Sequence, residues 1–384
     1  MKIFITFISF IAIIATIYAL IPPTTPYSAG SVNQVPMILG ITNTQPYRVL
    51  GFLPHWNLKK VSSTALQSIT DLAYFALEID GKGNLITKVN SREEHPGWTN
   101  FKRFQKDSRF ATIPLTLTIQ MLDNTEIENL LNNKINRKNA INTILDLTTT
   151  YSLHGINLDL EPTGIVPIST RENFTLFIEE LSQSMSFRHL SGLEVSVDIY
   201  PTLVGKQRLW DLPRLAPYVT YFVIMGYDYH YRGSDTAGPV APLRGATTFF
   251  NDDLTTNLGE ISRILAPNKI ILGIPFYGYR WVTTTTDKYS PTIGSGVTAP
   301  LSDISALLLA NPDDIRWDRD SFTPYLIIDN GNKISQIYFE NELSLGLKLD
   351  LIKSSTYQGI AIWALGYEGD NLSLWQTIFN KLRN

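Results

Sequence analysis

Eight short apolar runs rich in β-forming residues recur along this chain, and several are separated by stretches of helical period. They cover Arg48–Trp56, Ile69–Ile79, Ile113–Ile119, Gly155–Glu161, Leu193–Tyr200, Tyr221–Tyr227, Lys269–Tyr277 and Gly359–Ala364. One helical stretch is Arg171–Met185, with Phe174, Phe177, Ile178 and Leu181 on one face; another is Leu254–Leu265, where Leu254, Leu258, Ile261 and Leu265 keep the same period. Strand–helix alternation over eight strands predicts an α/β fold, the (β/α)8 TIM barrel. The longest gap lies between strands seven and eight. Residues 282–358 hold turn clusters, Trp317 and short strand candidates at Tyr325–Asp329 and Ile334–Phe339, which predicts a small α+β insertion on the barrel.

The ends of the chain differ from this pattern. Met1-Lys2 leads into a mostly apolar run, so residues 1–21 are expected to be a secretory signal or a membrane anchor. Residues 22–46, with Pro22, Pro23, Pro26, Ser28, Gly30 and Ser31, have the composition of a tether. Residues 47–384 are left for the barrel. The expected location is outside the cell or on its surface, with the membrane touched only through the N-terminal segment. A net charge of −3 gives no electrostatic reason for nucleic acid binding. The chain has no cysteine, which excludes disulfides and thiolate chemistry. Its five histidines show no metal-ligand spacing, so neither a metal nor another cofactor is expected. A monomer is expected.

The densest chemistry is the octet 154–161, His-Gly-Ile-Asn-Leu-Asp-Leu-Glu. Ile156, Leu158 and Leu160 fall on one side; Gly155, Asn157, Asp159 and Glu161 fall on the other. A period of two is a β-strand. Two carboxylates, about 6–7 Å apart at Cα, stand at its end just before Pro162. In a barrel of this kind catalytic groups stand at the C-terminal strand ends. Other strand ends carry His55-Trp56, Asp198-Ile199-Tyr200, Met225-Gly226-Tyr227-Asp228, Phe276-Tyr277 and Trp363. A mouth of Trp, Tyr, Asp and Glu suits a carbohydrate, whose apolar ring faces stack on aromatics while its hydroxyls meet carboxylates.

This ensemble resembles glycoside hydrolase family 18, the chitinase family, over residues 47 to about 370. The octet is similar to the family's Asp-x-x-Asp-x-Asp-x-Glu. Gly51-Phe52-Leu53-Pro54-His55-Trp56 resembles the first-strand pattern, Met225-Gly226-Tyr227-Asp228 the sixth, and Gly273-Ile274-Pro275-Phe276-Tyr277-Gly278 the seventh. Trp363 stands for the strand-eight tryptophan. Tyr227–Ser234 and Gly238–Pro242 look closest to the bacterial spore-cortex and cell-wall branch. The resemblance implies an exported hydrolase of β-1,4-linked N-acetylglucosamine polymers, chitin or peptidoglycan. It implies substrate-assisted retaining catalysis, with Glu161 as general acid/base, Asp159 orienting the acetamido group and Tyr227 donating to its carbonyl. Asp228, Trp363, Trp56, Asn157, Tyr277 and Met225 would contact the sugar.

Two departures stand out. The family's two earlier aspartates are His154 and Asn157 here, and Asn157 cannot carry or share a proton, though it can hydrogen-bond to Asp159. Strand three reads Thr116-Leu117-Thr118-Ile119-Gln120 where the family usually has Ser-x-Gly-Gly, so that wall of the cleft differs. The competing reading is a catalytically silent glycan-binding lectin on the same barrel. Such relatives typically lose the glutamate, and Glu161 is present.

Overall fold

The structure, a computed structural model, describes residues 47–246 and 248–383. The expected signal or anchor at 1–21 and the tether at 22–46 lie outside the described residues. Among the described residues no helix is long and apolar enough to cross a membrane.

The barrel strands are β1 (Arg48–Pro54), β2 (Asp71–Glu78), β3 (Leu115–Met121), β4 (Gly155–Leu160), β5 (Glu194–Ile199), β6 (Tyr221–Ile224) and β7 (Ile270–Pro275). Between β7 and the last barrel strand lie β8 (Tyr277–Thr283), β9 (Val297–Pro300), β10 (Ile315–Asp318), β11 (Thr323–Asp329) and β12 (Ile334–Tyr338). The barrel closes with β13 (Gly359–Trp363), in the order β1-β13-β7-β6-β5-β4-β3-β2, every pair parallel.

The strand period sorts each stave between two environments. Ile156, Leu158 and Leu160 of β4 join Leu117 and Ile119 of β3 and Val195, Val197 and Ile199 of β5 in the large core between barrel and helices. The predicted helix forms over Ile168–Phe187 and buries Phe174, Phe177, Ile178 and Leu181 against that core. Each such side chain contributes about 1.5–3 kcal/mol of burial. The alternate residues face the lumen, and the lumen is split. Leu50, Phe52, Ala73, Phe75, Tyr221, Val223, Ile271 and Ala361 form an apolar cluster from β1, β2, β6, β7 and β13. Staves β3, β4 and β5 instead contribute the buried polar side chains Thr116, Thr118, Asn157, Asp159, Ser196 and Asp198. Their registers, Thr118↔Asn157↔Ser196 and Gln120↔Asp159, place these groups side by side in layers.

Strands β8 to β12 form a separate five-stranded antiparallel sheet, order β10-β11-β12-β8-β9. The helix Leu301–Ala310 belongs to the same insertion. The sheet starts at Tyr277, earlier than the expected residue 282. Pro275 offers no N–H to continue the ladder, and the Phe276 N–H donates to Trp363 O at 2.7 Å as the chain leaves the barrel. The helix Glu342–Ser354, which falls inside the expected 282–358 range, packs on the C-terminal helix Leu372–Leu382 and leads into β13. Gly278 is needed here, since a Cβ would lie 1.9 Å from Tyr338 O on the neighbouring strand. Smaller differences share one cause, that turn geometry takes over before the apolar run ends. Trp56 sits in a 3-10 turn, His55–Asn57, and β6 stops at Ile224. The helix from Leu254 ends at Ile261, short of Leu265.

Candidate active site

Asp159 stands at the fifth position of β4 and points into the lumen, 2% exposed. Gln120, its register partner on β3, donates Nε2–H to Asp159 Oδ2 at 2.9 Å. Among the described residues no amide or hydroxyl donates to Asp159 Oδ1. Glu161 follows two residues later, its backbone N–H tied to Met121 O at 3.0 Å. Asp159 and the Tyr200 hydroxyl stand beside its carboxyl. Asp198 of β5 lies beside them, with Asn157 Nδ2 donating to its Oδ1 at 2.7 Å and to Ser196 Oγ at 3.1 Å. Asp228 closes the mouth from the loop after β6. It holds φ 61°, a left-handed conformation that Asp tolerates better than most residues. Tyr277 donates to Asp228 Oδ1 at 2.5 Å, and the Tyr279 hydroxyl lies near the same carboxyl.

Four carboxyls therefore share one mouth, and among the described residues none has a salt-bridge partner. Burial pushes each upward, because an ion loses hydration there without a cation in exchange. Asp159 is raised well above the carboxylate range by burial, then by the charges of Glu161 and Asp198, with the Gln120 hydrogen bond opposing. Glu161 is raised by burial and by Asp228, against the opposing effect of Asp159 and the Tyr200 hydroxyl beside it. Asp198 is raised by burial and by Glu161, against the Asn157 bond. Burial and all four carboxylates keep the Tyr227 phenol neutral, hence a donor. Gly273 makes room for that ring: a Cβ there would lie 3.0 Å from Tyr227 Cε1.

The walls are aromatic. Trp363 ends β13 and packs on Phe75 at 4.5 Å and Phe52 at 5.9 Å between ring centroids. Trp56 is half exposed and meets Phe75 edge-on at 6.4 Å. Tyr227 and Tyr277 are T-shaped neighbours at 6.1 Å. Two surface cavities of about 500 and 490 Å³ lie apart from this mouth, around Trp210 and around Asn129, and contain none of its carboxyls.

The structure brings Glu161, Asp159, Tyr227, Asp228, Tyr277 and Trp363 to one mouth. Of the other expected sugar contacts, Asn157 lies deeper in the lumen and Met225 lies beside Tyr227. Asn157 is 0% exposed and lies one layer below Asp159, bonded to Asp198 and Ser196 rather than to Asp159. A residue two positions deeper on the same stave face cannot reach a ligand at the mouth. Met225 is 8% exposed and adjoins the site, its carbonyl accepting from the Tyr227 N–H at 2.8 Å. Gln120, Asp198, Tyr200, Tyr279 and Phe75 join the mouth without having been singled out. Asp198 and Tyr200 did end a predicted strand, and that position was the available signal.

A closed parallel barrel whose C-terminal mouth holds two neighbouring buried carboxyls beneath tyrosine and tryptophan rings is the architecture of a barrel glycosidase. The chain belongs to the glycosyl hydrolases family 18, which residues 48–368 match, and it is a glycoside hydrolase. It is 27% identical over 245 residues to YdhD of Bacillus subtilis (strain 168), a protein named as a sporulation-specific glycosylase. That match covers 62% of this chain and 53% of YdhD, so the chain spans about half the length of that relative. It is 24% identical over 325 residues to the cortical fragment-lytic enzyme of the same organism, covering 81% of this chain and 68% of that one. Among solved structures, the Ostrinia furnacalis Group IV chitinase in complex with allosamidin has a TM-score of 0.74 at 19% identity, covering 88% of this chain and 99% of that one. At that identity the likeness shows the fold.

Proposed function

We propose that this barrel cleaves β-1,4 linkages of N-acetylglucosamine-containing polymers, chitin or peptidoglycan strands, by substrate-assisted retaining catalysis. The observation that carries it is that Asp159 on β4 and Glu161 at its tip stand side by side on the lumen side of one strand, buried and close enough for each to affect the other's proton affinity. An inverting pair needs carboxyls about 6.5–9.5 Å apart to admit a water, and a double-displacement pair needs about 5–5.5 Å. Two neighbouring carboxyls two residues apart on one strand stand on the same side of the bond to be cleaved and suit neither. They suit one acid and one orienting group, with the substrate's own acetamide as nucleophile.

Glu161, held protonated by its surroundings, gives its proton to the glycosidic oxygen. The acetamide carbonyl oxygen attacks C1, the C1–O bond breaks, and an oxazolinium ion forms. Asp159 Oδ1 accepts from the acetamide N–H and faces the developing positive charge. Tyr227 donates to the acetamide oxygen and aligns it. Water then attacks C1 while Glu161 takes back a proton, and the acetamide is regenerated. Proton transfer of this kind contributes about 10²–10⁴-fold. Trp363 floors the sugar ring, and Asp228 holds a hydroxyl or the acetamide. The names of the two Bacillus relatives favour a wall polymer, and the N-terminal apolar run favours export to reach it.

The test is incubation with N-acetylglucosamine oligomers and with purified peptidoglycan, followed by mass analysis of released fragments. Cleavage between N-acetylated sugars is expected, with loss of rate in Asp159→Ala. Failure to release reducing ends from both polymers would sink the substrate reading. An undiminished rate in Asp159→Ala would sink the assisted mechanism.

A further inference from the structure

We propose that Gln120 is a positioning residue for the reaction: its side-chain amide, reaching across from β3, holds one oxygen of Asp159 and leaves the other open for the acetamide of the sugar. This rests on the reading of Asp159 as the group that orients the acetamide.

Gln120 is the register partner of Asp159 near the C-terminal end of β3. Neighbouring strands lie about 4.8 Å apart, and paired residues turn their side chains to the same face. The long amide side chain spans that gap, and Gln120 Nε2–H donates to Asp159 Oδ2 at 2.9 Å. Among the described residues no other amide or hydroxyl does so. Asp159 Oδ1 accepts from none. Asn157, two residues earlier on the same face of β4, gives its amide hydrogens to Ser196 and Asp198. Thr118, two residues earlier on β3, has a buried hydroxyl that is not bonded to Asp159 either.

That one bond therefore decides how the carboxyl is turned. Rotation of an aspartate carboxyl about its last bond is broad and nearly two-fold, so an unanchored one turns easily. Anchoring Oδ2 stops the rotation and leaves Oδ1 as the acceptor. A buried acceptor without a donor is costly, and the acetamide N–H of a bound sugar supplies one. The same stave holds the acid. Met121, the next residue, accepts the Glu161 N–H at its carbonyl at 3.0 Å. Two consecutive residues of β3 thus fix the orienting carboxyl by its side chain and the acid by its backbone. Gln120 is itself held in place: Ile119 and Met121 on either side are buried in the core between barrel and helices, and Glu78 of β2 pairs with it in the ladder.

The test is kcat and KM on an N-acetylglucosamine oligomer for the wild type, Gln120→Met, Asp159→Ala and the double variant. Gln120→Met keeps the length of the side chain and removes the donor. It is expected to lower kcat by about tenfold. KM should stay within about twofold, and adding Gln120→Met to Asp159→Ala should cost less than about twofold more, because its target is then gone. An unchanged kcat in Gln120→Met overturns the inference. So does a loss that persists at full size in the Asp159→Ala background, or a raised KM with kcat kept, since Gln120 would then act on the sugar or on packing. Where Asp159→Ala turns over too slowly to measure, calorimetric affinity for a thiazoline analogue of the oxazolinium ion is read in the same four proteins by the same criteria. If Gln120→Met does not fold, Gln120→Glu, which keeps size and polarity without the amide donor, takes its place. Asp159→Ala tells the failures apart. An undiminished rate there sinks the orienting role itself, whereas a slow Asp159→Ala beside a normal Gln120→Met sinks only the part given to Gln120.

Discussion

The two ends of this barrel treat charge in opposite ways. At the N-terminal end, Arg48 donates to Asp71 at 3.0 Å and to Glu194 at 2.6 Å, and its guanidinium lies 4.6 Å over the Tyr221 ring. Asp71, His154 and Glu194 bring ligand atoms within 4.8 Å of one another, but the guanidinium already bridges the two carboxylates. The insertion's junction follows the same rule, with Lys348 paired to Glu340 at 2.8 Å, both buried. At the C-terminal mouth, Asp159, Glu161, Asp198 and Asp228 have no cation partner among the described residues. Paired buried charge holds staves in register at a desolvation cost its partner offsets; unpaired buried charge costs stability and is kept where its shifted proton affinity is useful.

Five changes would break or sharpen that contrast. Glu161→Gln is expected to lower kcat by about 10³-fold or more, with the melting temperature unchanged or raised. A fall of several degrees would show that the mouth carboxyls are structural after all. Arg48→Met leaves two carboxylates without their cation and is expected to cost about 3 kcal/mol, measured by urea unfolding, with kcat per folded molecule unchanged. Glu368 extends the contrast, for it is a buried carboxyl after β13 pushed up to about 7, chiefly by burial. Its folded-state proton affinity exceeds the unfolded value of 4.5. Its stability contribution is therefore fullest below the unfolded value and is lost as pH rises toward 7. Glu368→Gln should flatten that part of the stability–pH curve, and an unchanged slope would count against it. Tyr200→Phe removes a hydroxyl beside Glu161 that favours its ionised form, so the basic limb of the kcat/KM profile should rise, and an unmoved limb would count against it. His154→Ala should be the mildest, below about 0.5 kcal/mol, since His154 is 43% exposed and 3.6 Å from Glu194.

Much of the site was legible because the chemistry is concentrated in one strand. The period of two in 154–161 put Asp159 and Glu161 on one face, and both stand in the lumen. Tyr227, Asp228 and Trp363 were legible from their positions just beyond strands. Gln120 was not, because one amide in a strand has no local signature, and Asp198 offered only its place near a predicted strand end. Their meaning comes from the register Gln120↔Asp159 and from the Asn157 bridge, contacts between residues 39 and 41 positions apart. Asn157 was misplaced for the same reason, since alternation gives the face and not the depth.

The sequence by itself determined the alternating strand–helix plan, the interruption after the seventh strand and the carboxyl pair at a strand tip. Those follow from hydrophobic period and turn chemistry, which act over a few residues. Only the tertiary structure decided that three staves make one polar half of the lumen, and that Asn157 serves Asp198 rather than the sugar. Closure of the barrel sets which side chains become neighbours, and burial in that company sets which carboxyls can hold a proton.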